Sequence, residues 1–365
     1  MVWMESSFKE FLEKTEKKKI VCYGAGMLPL YLEPLFEKYH IAERICCFLD
    51  GNPEKDGWKI ELGNRKLPIR NKEALREFHP EEGVLLITAE KYPEILRSLK
   101  QLEEFKAWDC YVWPLLNLSC FRESMKNRES GREESGLHNF KSKAWKNSLH
   151  NFGKIPKTIH YTWFGRGEKT SLMKRCIESW RTQCPDFTIQ EWNEDNYDIS
   201  ANIYMKQAYE TGKWAYVSDF ARLDILYQYG GIYLDTDVEL FQSIENICSG
   251  YGFVCAGEWP VPNSGAGIGC VPGHPLIKEM MEKREEIPFF DMQGRGDCHT
   301  NSNYEMEVLL RHGFSMDFTL QCREDFVFYP PDIIAPASIT GEDFYVTERT
   351  IGKHHCNNSW RKERC

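Results

Sequence analysis

The sequence predicts an α/β protein in two unequal parts, and three observations carry that reading. Apolar, β-branched runs alternate with helical segments from Lys18 to about Trp113. A charged stretch without sustained periodicity follows, and from Lys154 onward strand and helix patterns alternate again. At 365 residues the chain is long enough to bury two separate cores.

Within the first part, KKIVCYGAG reads as a strand ending in glycines and MLPLYLEPLFEKYH as a helix. ERICCFLDGNP is a second strand closing in a turn, KEALREFHP a helix, EGVLLITAE a third buried strand, and YPEILRSLKQLEEF an amphipathic helix. Such alternation implies a parallel sheet with right-handed crossovers. Residues 1–120 are therefore expected to form a small Rossmann-like parallel-sheet domain. Its dinucleotide fingerprint is half present: Gly24 and Gly26 follow the first strand, but Pro29 stands where the third glycine belongs. Asp50 ends the second strand about where a ribose-binding acid would lie. A nucleotide site and a plain tight turn both remain open.

Residues 121–153 read as a charged linker with room for helical pieces, and residues 154–365 as the second domain. Its predicted elements are strand Thr158–Phe164, helix Ser171–Thr182, strand Phe187–Trp192, helix Ile203–Thr211, helix Ser218–Tyr229 and strand Ile232–Leu234.

Composition narrows the function classes. Hydrophobic residues at 42% and charged residues at 28% exclude a disordered or membrane-embedded chain, and a net charge of −9 argues against general affinity for nucleic acid. The polar start MVWMESSFKEFLEKTEKKK is not a secretory signal, and no stretch approaches the ~18 apolar residues that span a bilayer. Fourteen scattered cysteines without a CxxC fit reduced thiols in a cytoplasmic protein.

The chemistry concentrates in SDFARLDILYQYGGIYLDTD. Ser218 is a suitable N-cap, and Phe220, Leu223, Leu226 and Tyr227 make an apolar stripe. Asp219 and Arg222, three apart, share a helix face. Gly230-Gly231 ends the helix and turns the chain into the strand IYL. Asp235 and Asp237 follow at once, spaced by two so that both carboxylates point the same way in extended chain. Side by side they repel unless a cation lies between them, and a divalent ion with oxygen ligands answers that need. A lone DxD is a common tripeptide; the preceding helix, Gly-Gly turn and strand make this one specific.

The run AYVSDFARLDILYQYGGIYLDTDV, with KIPKTIHYTWFG upstream and HHCNNSW downstream, resembles the DXD-motif glycosyltransferase family of yeast outer-chain mannosyltransferases and bacterial capsular polysaccharide transferases. The resemblance covers roughly Lys154 to Trp360. It implies a GT-A-type nucleotide-sugar transferase domain, with Mn²⁺ or Mg²⁺ as cofactor. Trp163 would stack on the donor base, while Asp219 and Arg222 would hold donor sugar hydroxyls and phosphate. Asp235 would contact ribose, sugar and metal, and Asp237 would ligate the metal directly. His355 is the expected third ligand, with His354 as the alternative, and Ser359 and Trp360 would close on the diphosphate. Trp192 and Asn193 are further candidates for the nucleotide pocket. Glu258, after the strand GFVCAGE, is the candidate acceptor-facing base, and Asn263 opens a Gly-rich loop beside the donor sugar.

The implied reaction is hexosyl transfer from a nucleotide sugar, with a UDP-sugar as the expected donor, to a glycan or lipid-linked acceptor in surface polysaccharide synthesis. The resemblance implies retention of configuration. It leaves peripheral association with the inner membrane face open. Two rival classes stand beside it: a nucleotidyltransferase acting on sugar phosphates, which also pairs aspartates around a metal, and a nucleotide-binding regulatory protein centred on the first domain.

Overall fold

The computed structural model describes residues 2–3, 6–26, 29, 32–89, 91–129, 154–248, 250–258, 261–290, 294, 296, 301–314, 319–323, 325–337, 343 and 345–356. The chain divides into two compact units, Met1–Glu129 and Ser130–Cys365.

The first unit contains β1 (Val2–Trp3), α1 (Phe8–Thr15), β2 (Lys19–Tyr23), α2 (Glu33–Lys38), β3 (Ile45–Asp50), β4 (Lys59–Leu62), β5 (Arg65–Asn71), β6 (Gly83–Ile87), α3 (Tyr92–Leu99), β7 (Cys110–Val112) and α4 (Trp113–Glu129). Its sheet runs β1-β7-β6-β2-β3-β5-β4 and is parallel throughout except at the β4–β5 hairpin. Val21, Leu49, Leu85, Ile87 and Val112 fill one core with Trp108. Strands buried on both faces account for the near-continuous apolar runs in the sequence. KEALREFHP forms only a 3-10 turn, Lys72–Glu77, instead of the expected helix.

The glycine turn is tight for a local reason. Gly24 has φ 111°, and a Cβ there would sit 2.9 Å from the carbonyl oxygen of Thr88. Asp50 holds this turn: its Oδ2 accepts from the Ala25 amide at 3.0 Å and from Lys55 Nζ at 2.9 Å. Asp50, the candidate ribose-facing acid, thus engages the glycine turn and the loop that follows its own strand. Of the stretch read as linker, residues 121–129 complete α4, and 130–153 lie outside the described residues.

The second unit contains β8 (Thr158–Thr162), α5 (Ser171–Gln183), β9 (Thr188–Trp192), α6 (Ile203–Glu210), α7 (Trp214–Tyr229), β10 (Gly231–Tyr233), β11 (Val238–Leu240), α8 (Glu245–Cys248), β12 (Phe253–Glu258), β13 (Val261–Pro262), β14 (Ile268–Cys270), α9 (Pro275–Glu285), α10 (Asn301–Arg311), β15 (Gln321–Arg323), β16 (Phe326–Tyr329), β17 (Ile334–Pro336) and β18 (Gly352–His354). The main sheet runs β15-β16-β12-β14-β10-β8-β9, with β13 paired to β12. It is parallel from β9 through β8 to β10, then turns antiparallel at β14. This mixed α/β arrangement is the fold class expected from the sequence. A second sheet, β11-β18-β17, lies just past the aspartate pair in sequence and brings the HHC segment to it.

Helix α7 starts earlier than expected. Ser218 lies inside it, its hydroxyl donating to the Trp214 carbonyl at 3.1 Å and accepting from Thr162 Oγ1 at 2.9 Å. Burial of Tyr216, Val217 and Phe220 extends the helix past the residue that local capping favoured. The end is as expected: Gly230 and Gly231 have φ 65° and 90°, and Cβ atoms there would meet the Cys270 and Thr158 carbonyl oxygens at 2.8 Å.

His160 locks β8 to that turn. Its Nε2 donates to the Gly230 carbonyl at 3.0 Å, and its Nδ1 accepts the Trp192 indole N–H at 3.0 Å. Burial lowers its pKa from 6.5 to about 4, so the ring stays neutral at physiological pH. Because the unfolded chain binds the extra proton first, stability rises with pH from about 4 to 6.5 and falls as the pH drops through that window. We expect up to about 3 kcal/mol of acid sensitivity from this one ring. Urea titrations across the window should show a flatter slope for His160→Gln than for the wild type.

No helix among the described residues is long and apolar enough to cross a membrane.

Candidate functional site

Asp219, Arg222, Asp235, Asp237, Glu258, Asn263 and His354 converge where α7, the β10 end, the β12 end and β18 meet. The aspartates do not sit on an extended strand. The Val238 amide donates to the Asp235 carbonyl at 3.0 Å, so residues 235–238 form a tight turn between β10 and β11. The turn still gathers the carboxylates: one ligand atom each from Asp235, Asp237 and His354 lies within 4.8 Å of the others.

Arg222 anchors this cluster from below. Projecting from α7 and 4% exposed, it ion-pairs through Nη2 with Asp219 Oδ1 at 3.0 Å and Asp235 Oδ1 at 3.4 Å. Nη1 donates to Ser264 Oγ at 3.1 Å, and the guanidinium lies 4.9 Å from the Tyr233 ring centre. Burial opposes its charge, but Asp235, Tyr233 and Asp219 hold its pKa well above the ordinary value. The expected helix-face pair is therefore formed and extends to the motif itself. Tyr233 adds a hydroxyl that donates to Asp235 Oδ1 at 3.1 Å.

Asp235 is also fixed from the glycine-rich loop. Its amide donates to the Gly265 carbonyl at 2.9 Å, and a Cβ on Gly265 would come 2.2 Å from Asp235 Oδ2. Gly265→Ala must therefore displace the carboxylate. A misplacement near 1 Å costs about 10²-fold. We expect that loss in turnover with the fold retained, as measured by kcat beside a thermal melt.

The third ligand position differs from the expectation. His354 Nε2 faces Asp237 Oδ1 at 3.4 Å, whereas His355 Nε2 contacts Glu239 Oε2 at 2.8 Å, away from the aspartates. Strand alternation accounts for the His355 contact: β18 pairs antiparallel with β11, Val238 opposite His354, so the next side chain leaves on the other face, toward Glu239. His355 keeps a backbone role, its amide donating to the Asp237 carbonyl at 2.9 Å. Together with Arg175, its side chain holds Glu239 below the usual carboxylate range despite burial that pushes it up.

Glu258 also differs from the expectation of an acceptor-facing base. It is 6% exposed, accepts from Asn263 Nδ2, and lies 2.9 Å from His354 Nδ1. A carboxylate on one imidazole nitrogen orients the other, as in carboxylate–histidine–metal triads. Asn263 fastens the loop, its Oδ1 accepting from the Gly265 amide at 2.9 Å. Burial opposes charge on His354, but Cys356, Asp237 and Glu258 raise its pKa well above the usual imidazole value. That positive charge is what these carboxylates demand, and a divalent cation meets the same demand. Two carboxylates and an imidazole are also a chemically suitable donor set for Mn²⁺.

Around this centre lie residues that sequence reasoning missed. Glu305 and Asn301, one turn apart on α10, bind the same loop: Glu305 accepts from the Ser264 amide at 3.1 Å, and Asn301 donates to Ser264 Oγ at 2.9 Å. Burial raises the Glu305 carboxyl above its usual pKa. Their i, i+4 spacing was visible, but nothing local tied it to the motif. Trp163 follows β8, its indole N–H donating to the Gly167 carbonyl at 2.7 Å and Lys169 Nζ standing 5.2 Å from its ring. Trp192 packs near Tyr229 and bonds His160, and Asn193 is engaged by Glu191 and Asp195. Ser359 and Trp360 lie outside the described residues.

Residues 170–254, which hold α5 through the DxD turn, match the family described as glycosyltransferase sugar-binding region containing DXD motif. That match spans under a quarter of the chain. The chain is also similar to inositol phosphoceramide mannosyltransferase 1 of Schizosaccharomyces pombe, 27% identical over 138 residues. The alignment covers 34% of this chain and 41% of that protein, so the chain matches less than half of the relative's length. Among solved structures, the PaToxG glycosyltransferase aligns with a TM-score of 0.33 and 17% identity, covering 52% of this chain and 80% of that one. A glycosyltransferase involved in glycosylation of the major capsid of PBCV-1 aligns at 0.34 and 12%, covering 57% and 97%.

Proposed function

We propose that the chain is a metal-dependent glycosyltransferase that moves a hexose from a nucleotide sugar, with a UDP-sugar as donor, to a glycan or lipid-linked acceptor. The observation that carries this reading is the gathering of Asp235, Asp237 and His354 within 4.8 Å beside buried Arg222, the two aspartates and the arginine lying in a segment that matches a DXD sugar-binding family. The mannosyltransferase name of the fungal relative supports a hexose donor.

Asp235, Asp237 and His354 would hold a divalent cation, Mn²⁺ or Mg²⁺, which supplies Lewis-acid neutralisation of the departing nucleoside diphosphate. Arg222 pairs with Asp235 and aims it, while Asp219 and Arg222 offer polar groups to the donor sugar. Tyr233 fixes the remaining freedom of Asp235. Retention of configuration is the favoured outcome. Glu258, the candidate base for an inverting reaction, is committed to His354 and Asn263. In a retaining reaction the leaving phosphate oxygen itself receives the acceptor proton. Surface polysaccharide assembly at the inner membrane face fits an acceptor of this kind.

The test is a panel of nucleotide sugars incubated with the chain and Mn²⁺. Release of nucleoside diphosphate with one of them supports the reading, whereas no such release, together with pyrophosphate release from a nucleoside triphosphate and a sugar phosphate, marks a nucleotidyltransferase and overturns it.

A further inference from the structure

One side chain group at this centre is not needed by the reading above. Cys356, two residues beyond His354, places its Sγ 3.7 Å from His354 Nδ1 and 3.6 Å from Glu258 Oε1. The three donors Glu258, His354 and Cys356 lie within 4.8 Å of one another, as do those of the aspartate group, and His354 belongs to both. Cys356 reaches this place through a backbone of φ 49°, a left-handed conformation uncommon outside glycine. That turn folds the thiol back over its own strand end, 3.4 Å from the His354 carbonyl. Strain of this kind concentrates at functional sites.

We propose that Glu258, His354 Nδ1 and Cys356 form a zinc site whose occupation excludes the cation at the DxD turn. Zinc bonds of about 2.0–2.3 Å to nitrogen, oxygen and sulfur place tetrahedral ligands roughly 3.3–3.8 Å apart. The Cys356–Nδ1 edge already has that length; Glu258 meets the thiol through Oε1 at 3.6 Å and Nδ1 through Oε2 at 2.9 Å, so a small turn of its carboxylate would offer one oxygen to the ion. A water completes the fourth corner. The donor chemistry also separates the two sites. A thiolate with an imidazole selects zinc, whereas paired aspartates suit magnesium and manganese.

Exclusion follows from the shared ring. A neutral imidazole offers one lone-pair nitrogen. With a cation on Nε2, Nδ1 carries the proton and donates to Glu258. With zinc on Nδ1, the proton sits on Nε2 and faces Asp237, which removes the histidine from the aspartate set. Zinc entry forms the Zn–S bond and releases the thiol proton to solvent, with no change of oxidation state. Zinc binding stands independently; the exclusion rests on the metal-dependent reading proposed above.

The test uses the full chain, freed of metal, and its Cys356→Ser and Asp237→Asn variants. Bound zinc is counted after dialysis, Co²⁺ reports thiolate ligation through a near-ultraviolet charge-transfer band, and bound Mn²⁺ is followed by electron paramagnetic resonance. The wild type should retain one zinc and show the cobalt band. Cys356→Ser should lose both, with zinc affinity down by at least about 100-fold, while Asp237→Asn keeps both. Stoichiometric zinc should release Mn²⁺ from the wild type but not from Cys356→Ser. Equal zinc binding and an unchanged cobalt band in Cys356→Ser would overturn the site, and simultaneous Mn²⁺ and zinc on the wild type would overturn the exclusion. If zinc-free wild type binds no Mn²⁺, the exclusion falls with the DxD metal reading, and the cobalt and zinc readouts still decide the thiolate site.

Discussion

Asp237→Asn should lower Mn²⁺-dependent release of nucleoside diphosphate by about 10²–10³-fold in kcat, the scale seen when one preorganised electrostatic partner of a developing charge is removed. The substitution keeps size and shape but halves the carboxylate charge of the DxD turn. It leaves the Asp237 carbonyl in place for the His355 amide, so the junction with β18 persists. Its main structural cost is the lost contact with His354, 3.4 Å away. A thermal melt should therefore show a folded protein, and Mn²⁺ titration should show weakened binding. Full turnover in a folded Asp237→Asn protein would remove the basis for a metal at this turn.

The second large effect separates two neighbouring histidines. His354→Asn deletes Nε2 while its amide can still donate toward Glu258 from near the Nδ1 position. Outer partners of a metal ligand already cost about 10–100-fold in affinity when removed. Loss of the ligand itself should reach at least the upper end of that range. His355→Ala, by contrast, removes a partly exposed contact with Glu239. Such pairs contribute about 0–1 kcal/mol to stability, and metal affinity should stay within about 3-fold of wild type. His354→Gln, whose amide reaches toward the Nε2 position, should recover part of the binding. Calorimetric Mn²⁺ titration of the three variants checks the order, and a deficit confined to His355→Ala would reverse the assignment.

What was legible in the sequence was what chain geometry alone enforces. Asp219 and Arg222 share a helix face because they are three apart, and their ion pair is formed. Gly230 and Gly231 mark the helix end because no side chain fits there. Helix α7 defied the local signal at Ser218, because burying Tyr216 and Val217 outweighs a capping hydroxyl. Long-range pairing was not legible. Choosing between His354 and His355 required knowing how the 235–238 turn meets β18, where His354 faces Asp237 and His355 faces Glu239. Glu258 ends a strand, and only the folded chain shows that it turns inward to His354 and Asn263. Asn301 and Glu305 share a helical spacing with countless structural pairs, and only the packing of α10 on the Ser264 loop gives it meaning.

The small sheet that joins β11 to β18 carries a consequence for how competence is acquired. Glu239 and His355, which meet across it, are separated by 116 residues of chain. Loop closure over such a span grows only logarithmically in free energy, but contacts this distant in sequence tend to form late in folding. The strand pairings of the main sheet from β9 through β14 join residues nearer one another, Ile159 meeting Ile189 and Ile232, and Gly231 meeting Cys270. A nascent molecule would then pass through a stage with a native-like interior and an unfinished ligand set. Metal that favours the finished set over its precursor draws the population across that last step by mass action. Refolding followed by tryptophan fluorescence should run ahead of the recovery of Mn²⁺ binding, so the protein becomes a folded body before it becomes a catalyst.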